Sequence, residues 1–380
     1  MKIAIIGSAY PYRGGIAIYN ERLARAFMDA GHEVEIFTFT LQYPSFLFPG
    51  KSQYSEDEAP KDLKINRCVN SVNPLNWIVS GNKIKRFNAD LVIVKFWLPF
   101  MGPAYGTILR RVRKNKHSKI ITIIDNMIPH ESRPGDKAFS TYFTKAVHGF
   151  VAMSKTVLKD ISIFDTQKPR ILSPHPLYDS FGDPIAKNMA REKLGLEKDA
   201  KILLFFGLIR DYKGLDLLIE SFADPRFRKD KYHLIIAGEY YSDKHVYTSL
   251  IEKHGLNNFV LQADKFIPDS EVSLYFSAAD LVVQPYKSAT QSGVTQIAYH
   301  FNKPMVVTKV GGLPEMCPDG KVGYVTEVDP KSIADGVLRF FENDPNSQKQ
   351  MAENINELKK QYSWEILVEN ITKLKEKIEA

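Results

Sequence analysis

The chain has 380 residues, of which 44% are hydrophobic and 25% charged, a balance typical of a soluble globular protein with about two domains. Its two cysteines, Cys68 and Cys317, are too few for a disulfide framework or a cysteine metal cluster and favour a reducing compartment. No apolar run reaches the ~18 residues of a membrane span, and the N-terminal run is too short for a signal peptide.

The net charge of +7 is unevenly distributed along the chain. Residues 1–180 carry 25 Lys and Arg against 15 Asp and Glu, a net +10, whereas the rest of the chain is net −3. An excess of this size can serve solubility alone, or it can indicate an anionic partner for the first half. Both interpretations stay open at this point.

The first half alternates short apolar strands with helices. Strands are predicted at 2–7, 33–39, 90–96, 119–125 and 149–154. A helix is predicted at 20–32, with Leu23, Phe27 and Met28 on one face and Gly31 as its C-cap. This order is typical of parallel sheets, whose ligands bind beyond the carboxyl ends of the strands.

Residues 166–200 interrupt the pattern with four prolines and no hydrophobic period, which indicates a linker. Strands then resume at 201–207, 232–238 and 280–286. The sequence therefore predicts an α/β fold of two Rossmann-like, doubly wound domains facing each other across a cleft. We expect a first domain at 1–175, a second at 176–362, and a helix at 363–380 that could pack back on the first.

Two cations follow the first strand of the second domain. Arg210 and Lys213 stand between the strand at 201–207 and the next helix. Cations at a strand's carboxyl end and a helix N-terminus suit a phosphate group, because the helix adds unpaired N–H groups and a partial positive charge. The alternative is that both are solvated loop residues.

A polar stretch, SATQSGVTQIAYHFNKP at 288–304, opens a later helix and carries no charge before Lys303. Ser292 or Thr290 can cap this helix, and its first N–H groups would then face the cleft. The residues that could hold a ligand there are Thr290, Gln291, Ser292, Gly293, Val294 and Gln296. An ordinary capped helix is the alternative, as a plain turn is for the glycine segment VGGLPE at 310–315.

The first domain has two further candidates. Gly14 and Gly15 open a helix after the first strand, but they do not form G-x-G-x-x-G, which argues against a dinucleotide site. Asp125 and His130 follow the strand at 119–125, in the layer where an active site is expected, although a lone histidine is more often structural.

Metal-ligand motifs are absent from the sequence. It contains neither D-x-D nor H-E-x-x-H, so neither a metal nor another cofactor is expected. The charge of a bound diphosphate would then be met by Arg, Lys and helix N-termini.

Taken together, these segments resemble glycosyltransferase family 4, the retaining nucleotide-sugar transferases of GT-B architecture. The resemblance spans almost the whole chain. It is carried by Gly14-Gly15 with AGHEVEIFT, Gly207 with Lys213-Gly214, LIIAGE (234–239), FSAADLVVQPY (276–286), NKPMVVTKVGGLPE (302–315) and YSWE (362–365). It implies a nucleotide donor held mainly by the C-terminal domain and an acceptor held mainly by the N-terminal one.

The chain departs from the family pattern in three places. Two glutamates eight residues apart are replaced by Ala289 and Ile297. The family's arginine directly after glycine is replaced by Leu208, and the nearest arginine is Arg210. The family's His-Asp pair becomes Ile124-Asp125, with His130 as a possible substitute for the histidine.

The resemblance implies a front-face transfer in which the departing diphosphate oxygen itself takes the acceptor proton. The predicted catalytic residues are therefore Lys213, Arg210 and His130. The predicted donor and phosphate contacts are Gly14, Gly15, Thr290, Gln291, Ser292, Gly293, Val294 and Gln296. We expect Phe266 and Ile267 to contact the nucleotide base.

The predicted function is a metal-independent, retaining glycosyltransferase that uses a nucleotide-diphosphate sugar. Its acceptor would be a saccharide or lipid-linked saccharide in surface polysaccharide or glycolipid biosynthesis, and nucleic acid is not an expected partner. The alternatives are a catalytically weak or inactive binding or scaffold protein on the same fold, or an epimerase or phosphorylase.

The basic segment ILRRVRKNKHSK (108–119) follows the aromatic segment FWLPFMGPAY (96–105). A basic helix beside aromatic residues favours an anionic bilayer surface. The expected location is therefore cytoplasmic, with peripheral attachment to the inner face of the plasma membrane. The alternative is a solvated helix beside an aromatic acceptor pocket.

Overall fold

The computed structural model describes residues 1–44, 48, 52–129, 133–290 and 292–380. The chain divides into two compact units: unit 1 comprises residues 1–176 and 362–380, and unit 2 comprises residues 177–361. Each unit has a parallel sheet flanked by helices, which confirms the predicted α/β class with two Rossmann-like domains. Within the described ranges, no helix combines the length and apolar character needed to cross a membrane.

The sheet of unit 1 has seven parallel strands in the order β3-β2-β1-β4-β5-β6-β7. They are β1 (Lys2–Ile6), β2 (Glu33–Leu41), β3 (Ile65–Asn70), β4 (Leu91–Phe96), β5 (Lys119–Ile124), β6 (Gly149–Ala152) and β7 (Arg170–Leu172). The order reverses between β1 and β4, and a doubly wound sheet binds ligands at such a switch point.

The helices of unit 1 cover both faces of this sheet. They are α1 (Gly15–Asp29), α2 (Pro74–Phe87), α3 (Gly102–Val112), α4 (Asp136–Thr144), α5 (Lys155–Phe164) and α14 (Trp364–Glu379). From β1 to β3 the chain moves toward one edge of the sheet, and from β3 to β7 it moves toward the other edge. Because the crossovers are right-handed, α1 lies on one face and α2 to α5 lie on the other. Helix α14 packs beside α1, where the Trp364 and Tyr19 rings lie 5.0 Å apart.

Helix α1 begins at Gly15, five residues before the predicted start. The backbone turns at Gly14, whose φ of +102° suits glycine, and the helix follows immediately. Met28 is 38% exposed and does not share the buried face of Leu23 and Phe27, so that part of the prediction is wrong. The helix ends at Asp29 with Ala30 as its C-cap, so the predicted C-cap, Gly31, lies one residue further on. Gly31 has a φ of +81°, and its N–H donates to the Met28 carbonyl, as a glycine just after a helix commonly does.

Several elements were not predicted. Strand β3 has only one buried residue and therefore no clear apolar run. In α2, the most exposed apolar residues, Leu75 and Val79, face outward and obscure the pattern of its buried face. The expected linker at 166–200 contains the three-residue strand β7 and the seven-residue helix α6 (Lys187–Lys193), both too short for a clear hydrophobic period.

The sheet of unit 2 has six parallel strands in the order β10-β9-β8-β11-β12-β13, and the order reverses between β8 and β11. The strands are β8 (Lys201–Phe206), β9 (Tyr232–Ala237), β10 (Val260–Ala263), β11 (Leu281–Gln284), β12 (Met305–Thr308) and β13 (Gly323–Thr326). Besides α6, the helices are α7 (Leu215–Phe222), α8 (Lys244–Lys253), α9 (Asp269–Ala278), α10 (Gly293–His300), α11 (Leu313–Met316), α12 (Pro330–Glu342) and α13 (Pro345–Leu358).

Candidate anion-binding site

The candidate site lies at the switch point of unit 2, where the loops 207–214 and 285–292 follow β8 and β11. Gly214 joins these two loops. Its φ is +66°, and a Cβ added there would overlap the Pro285 carbonyl oxygen. Because only glycine allows this approach, the two loops are held in direct backbone contact.

Lys213 is buried at this point, with 9% of its surface exposed. A Cβ added to Gly207 would lie 3.2 Å from Lys213 Nζ and 3.5 Å from Val294 Cγ2. The ammonium group therefore lies at the carboxyl end of β8, close to the first turn of α10. The ring of Tyr286 is centred 5.7 Å from the same Nζ.

The charge of Lys213 has no anionic partner among the described residues. Burial, and secondly the positive charge of Arg210, lower the pKa of the Lys213 ammonium to about 8. Burial and the charge of Arg210 both destabilise the ammonium form, and an unpaired charge inside a protein raises the free energy of the folded state. Such an arrangement is typical of a site that a bound anion completes.

Arg210 lies three residues before Lys213, at the start of the short helical turn Asp211–Lys213. Its guanidinium carbon is 5.9 Å from the centre of the Tyr241 ring. Within the described ranges it forms no ion pair, so the loop supplies two cations that no carboxylate neutralises.

The start of α10 has no side-chain cap, although Ser292 or Thr290 was predicted to cap it. Ser292 is the residue before the helix, but its side chain does not cap it; instead Ser292 Oγ lies 3.2 Å from Tyr286 OH. Thr290 is buried and does not cap the helix either, and its carbonyl accepts from Gly312 N at 3.2 Å. The first-turn N–H groups therefore have no capping side chain among the described residues, as an anion site requires.

Gly293 is the first residue of α10, and Tyr178 lies against it. A Cβ at Gly293 would be 2.9 Å from Tyr178 Cε2. Tyr178 is not among the predicted site residues, because it lies in the proline-rich segment predicted to be a linker. Only its aromatic character beside several prolines could have drawn attention to it.

The amides of the polar stretch are less accessible than predicted. Gln296 is fully buried, with Nε2 4.0 Å from Met316 Sδ, and its Oε1 has no hydrogen-bond partner among the described residues. Thr295 donates to Gln284 Oε1 at 3.1 Å, inside the unit. Part of this polar sequence therefore belongs to the interior, and Gln291 lies outside the described residues.

Ala289 and Ile297, at the positions where the resemblance implies two glutamates, are buried with 7% and 5% of their surfaces exposed. The backbone around Ala289 is held by Gly311, whose φ is +51°. A Cβ at Gly311 would overlap the Ala289 carbonyl oxygen. The loop after β12 is thus packed against the loop after β11 as tightly as Gly214 is packed against Pro285.

Phe266 and Ile267 lie in the loop between β10 and α9, and Ile267 is 6% exposed. Strand β10 is separated from β8 by β9, so this loop is two strands away from Lys213 in the sheet order. Their contact with a nucleotide base stays a prediction.

Gly14 and Gly15 belong to unit 1, at the carboxyl end of β1, whereas Lys213 and α10 belong to unit 2. The start of α1 has no side-chain cap and no acidic residue in its first turn. These features suit an anion, and the role of the two glycines in phosphate binding stays a prediction.

Asp125 follows β5 in unit 1, and His130 lies outside the described residues. Asp125 Oδ1 accepts from Lys95 Nζ at 2.9 Å, and this buried Nζ also lies 3.3 Å from the centre of the Tyr19 ring. Burial and the charge of Lys95 lower the pKa of nearby His175 to about 3, so this histidine is neutral. Lys95 is not among the predicted site residues, because it lies inside an apolar strand pattern.

Lys287 connects the loops after β8 and β11 in unit 2. It is not among the predicted site residues, because it directly precedes the uncharged stretch. Its backbone N–H donates to the Tyr212 carbonyl at 2.7 Å, and its Nζ lies 2.9 Å from both Asp211 Oδ1 and Asp216 Oδ2. Burial opposes the charge, but the two carboxylates hold the pKa of Lys287 above its ordinary value. Lys287 is therefore a positioning residue for the loop that carries Lys213.

We expect Lys287→Ala to weaken nucleotide binding about 2- to 30-fold, because two partly exposed ion pairs of about 0.2–1 kcal/mol each hold the loop. Titration calorimetry with a nucleoside diphosphate checks this, and Lys287→Arg should largely restore binding.

The matched control is Lys201→Ala, at the other end of β8. Lys201 is paired with Asp230 at 2.7 Å, and its side chain is 33% exposed against 31% for Lys287. If both alanine variants lose nucleotide affinity equally, Lys287 stabilises the fold in general and does not position the loop that carries Lys213.

Two family descriptions match the chain, one in each half. "Glycosyl transferases group 1" matches residues 186–358, and "Glycosyltransferase Family 4" matches residues 13–172. An uncharacterized glycosyltransferase of Methanocaldococcus jannaschii is 24% identical over 379 residues, covering 100% of this chain and 99% of the relative. A D-inositol 3-phosphate glycosyltransferase of Frankia alni is 26% identical over 360 residues, covering 86% of each chain.

Solved structures show the same fold. Sucrose-phosphate synthase from Thermosynechococcus elongatus superposes with a TM-score of 0.78 at 16% identity, covering 99% of this chain and 98% of that one. Anabaena HepE in complex with UDP and glucose gives a TM-score of 0.75 at 15% identity, covering 98% of both chains. At these identities the similarity establishes the fold and leaves the substrate open.

Proposed function

Because the chain belongs to the GT-B glycosyltransferases, with glycosyl transferases group 1 in its second half, we propose that it transfers a sugar from a nucleotide-diphosphate donor. The observation that carries the proposal is the buried Lys213 ammonium, which has no carboxylate partner among the described residues and lies beside the uncapped start of α10. The binding of UDP and glucose by Anabaena HepE supports a donor of this class.

The donor diphosphate would lie between Lys213 and the first turn of α10. As the glycosidic bond breaks, negative charge grows on the departing phosphate oxygen, and the fixed Lys213 cation stabilises it more in the transition state than in the ground state. Arg210 adds a second positive charge on the same loop. The desolvated surroundings strengthen both interactions, since little water competes for the phosphate.

We propose a retaining transfer in which the departing phosphate oxygen removes the proton of the acceptor hydroxyl. This step needs no carboxylate base, and it agrees with the apolar side chains at 289 and 297. The protein then contributes positioning and charge stabilisation. Hydroxyl and amide groups would hold the sugar with neutral hydrogen bonds, worth about 0.5–1.5 kcal/mol each against about 1.5–3 for charged ones.

The acceptor is proposed to be a saccharide or lipid-linked saccharide used in surface polysaccharide or glycolipid synthesis. The names of the relatives, which include a D-inositol 3-phosphate glycosyltransferase and glycogen synthases, support a hydroxyl-bearing acceptor. The match to the Thermus caldophilus glycogen synthase spans 54% of this chain and 45% of that protein.

A second candidate is a nucleotide-binding protein without turnover on the same fold. The observation that favours it is the loss of both family carboxylates to buried apolar residues, Ala289 and Ile297. Such a protein would keep the Lys213 site and bind the donor without breaking it.

The decisive experiment combines a thermal-shift screen of nucleoside diphosphates and nucleotide sugars with a turnover assay. We expect one nucleotide series to raise the melting temperature by mass action, and its sugar to be slowly hydrolysed or transferred, with retained anomeric configuration by NMR. Binding without turnover for every donor would establish the second candidate, and an inverted product would refute the retaining mechanism.

The same assay run in excess EDTA tests metal independence. The sequence has no D-x-D, and no group of three or more His, Cys, Asp or Glu suited to a metal occurs in the part of the chain that the structure describes. Lys213 and Arg210 would supply the charge instead, so the rate should persist. Loss of turnover that magnesium or manganese restores would overturn this part of the proposal.

A further inference from the structure

The outer surface of α2, α3 and α4 differs from the rest of unit 1 in charge. Between residues 63 and 124 the sequence has 12 Lys and Arg and a single acidic residue, Asp90. That carboxylate is already engaged, since it accepts from Lys2 N at 2.7 Å and lies 2.8 Å from His117 Nε2. Helix α4, which lies beyond this segment, carries one further acidic residue, Asp136, whose Oδ2 accepts from Arg133 N at 2.7 Å. The cations of these three helices therefore have few carboxylates to offset them.

These three helices form one continuous layer through close contacts at glycines. A Cβ at Gly81 of α2 would lie 2.7 Å from Arg111 Cβ of α3, and one at Gly106 of α3 would lie 2.6 Å from Tyr142 Cδ1 of α4. The Arg110 guanidinium lies 3.8 Å from the centre of the Tyr142 ring. We call the outer surface of this layer the basic face.

The basic face also exposes large apolar side chains. Leu75 and Val79, one turn apart on α2, are 76% and 63% exposed, and on α4 Phe139 and Tyr142 are 39% and 38% exposed. The exposed cations of the same layer are Lys83, Arg86, Arg113, Lys114, Lys137 and Lys145. Burying two aliphatic side chains beside these cations requires a partner that is both apolar and anionic.

The exposed apolar side chains and the exposed cations of the basic face lie toward different ends of the helices. All three helices connect parallel strands and run in the same direction, so their N-terminal ends lie at the carboxyl edge of the sheet. Leu75, Val79 and Phe139 are near those N-terminal ends. Most of the cations lie toward the C-terminal ends, as for Lys83 and Arg86 on α2.

The opposite face of the same sheet provides the contrast. There α1 and α14 carry six acidic residues (Glu21, Asp29, Glu365, Glu369, Glu376 and Glu379) against five basic ones (Arg22, Arg25, Lys373, Lys375 and Lys377), a net charge of −1. A general excess of positive charge for solubility would not be confined to one layer. The asymmetry therefore indicates that the basic face meets a specific anionic surface.

The aromatic segment at 96–105, predicted to contact a bilayer, is mostly buried. Phe96 and Tyr105 are fully buried and Trp97 is 9% exposed, because they pack in the core between β4, α3 and α4. Arg110 and Arg113 are partly engaged as well, donating to the backbone carbonyls of Tyr142 and Lys145. The apolar contact of this region is instead provided by α2 and α4.

We propose that the basic face docks unit 1 on an anionic lipid bilayer, with Leu75 and Val79 entering the headgroup and acyl boundary and the cations binding lipid phosphates. A nucleic acid would satisfy the cations but would leave the exposed leucine and valine in water. The docking is independent of sugar transfer, so it can be tested whether or not the proposed function is correct.

The test is co-sedimentation of the full chain with vesicles of phosphatidylcholine alone or mixed with phosphatidylglycerol. We expect binding to the anionic vesicles at low salt and release at 1 M salt, where the Debye length falls to about 3 Å. The double variant Lys83→Glu/Arg86→Glu should weaken binding about tenfold or more, and Leu75→Ser/Val79→Ser should weaken it with little change in salt dependence.

Matched controls lie in unit 2. Lys331→Glu/Lys349→Glu changes the net charge by the same amount, and Val246→Ser removes a valine that is 52% exposed; neither should alter vesicle binding. Thermal unfolding and nucleotide binding verify that each variant is folded and keeps its donor site.

Equal losses in the unit 2 controls would overturn the proposal in favour of nonspecific charge attraction. Equal binding to neutral and anionic vesicles, or no binding at low salt, would also overturn it. Tighter binding to duplex RNA or DNA than to anionic vesicles would replace the bilayer by a nucleic acid.

Discussion

Replacement of Lys213 by methionine is expected to lower kcat/KM for sugar transfer about 100-fold or more while making the unliganded protein more stable. The activity falls because the fixed cation opposite the developing phosphate charge is removed. The free energy of unfolding rises by about 1–3 kcal/mol because a buried, unpaired ammonium is replaced by an apolar side chain of similar length. Steady-state kinetics and urea denaturation measure the two effects.

The second buried lysine of unit 2 provides a matched control. Burial, and secondly Lys187, lower the pKa of Lys303 to about 8, but Lys303 Nζ donates to the backbone carbonyls of Ala279 and Ser277 at 2.8 and 3.4 Å. Lys303→Met should therefore lower the free energy of unfolding by about 1–3 kcal/mol, since it leaves buried carbonyls unpaired, and should leave donor binding unchanged. The two lysines are expected to respond in opposite directions.

The pH dependence gives a third readout for Lys213. Since burial and Arg210 lower its pKa to about 8, the free protein loses the ammonium as the pH rises through that value, and kcat/KM should decline there. The decline should be absent from Lys213→Met. Full activity in that variant, or an unchanged alkaline limb, would mean that the diphosphate binds elsewhere.

Replacement of Gly311 by alanine is expected to lower the free energy of unfolding of unit 2 by about 2–5 kcal/mol. The positive φ costs a residue with a Cβ about 1–2 kcal/mol, and overlap with the Ala289 carbonyl adds about 1–3. Because Ala289 lies in the loop that leads into α10, nucleotide binding should weaken as well. Urea denaturation and calorimetry measure both effects.

Gly320 is the matched control, because its φ of +72° is similar but nothing lies within 4 Å of an added Cβ. Gly320→Ala should cost only the backbone term, about 1–2 kcal/mol, and should not change nucleotide binding. If Gly311→Ala and Gly320→Ala have the same free energy of unfolding, the contact between the loops after β11 and β12 does not stabilise unit 2. The position of the loop before α10 would then depend on other contacts.

The fold was predictable because its core strands are continuous apolar runs. Segments such as 201–206 and 91–96 are buried along almost their whole length, and only a sheet covered on both faces produces that pattern. Strand β7 and helix α2 were missed for opposite reasons. The first is too short for any period, and the second carries its most conspicuous apolar residues on the outside.

The candidate site was only partly predictable. Arg210 and Lys213 stood out because charges after a buried strand are visible in one short segment. The side-chain directions in 288–304 were not visible: Ser292 bonds Tyr286 instead of capping α10, and Gln296 faces the interior. Tyr178 reaches the site from the proline-rich segment, and Lys287 acts through ion pairs with the distant Asp211 and Asp216. Such long-range contacts leave no local pattern in the sequence.

The return of residues 362–380 to unit 1 has a consequence for how the protein is made. The ribosome must add 185 residues of unit 2 after residue 176 before the segment that covers α1 is synthesised. At about 5–20 residues per second, this delay is on the order of 10–40 s. During that interval the surface that receives Trp364 and Leu374 is bare on the nascent chain, and it is the surface that a chaperone would protect.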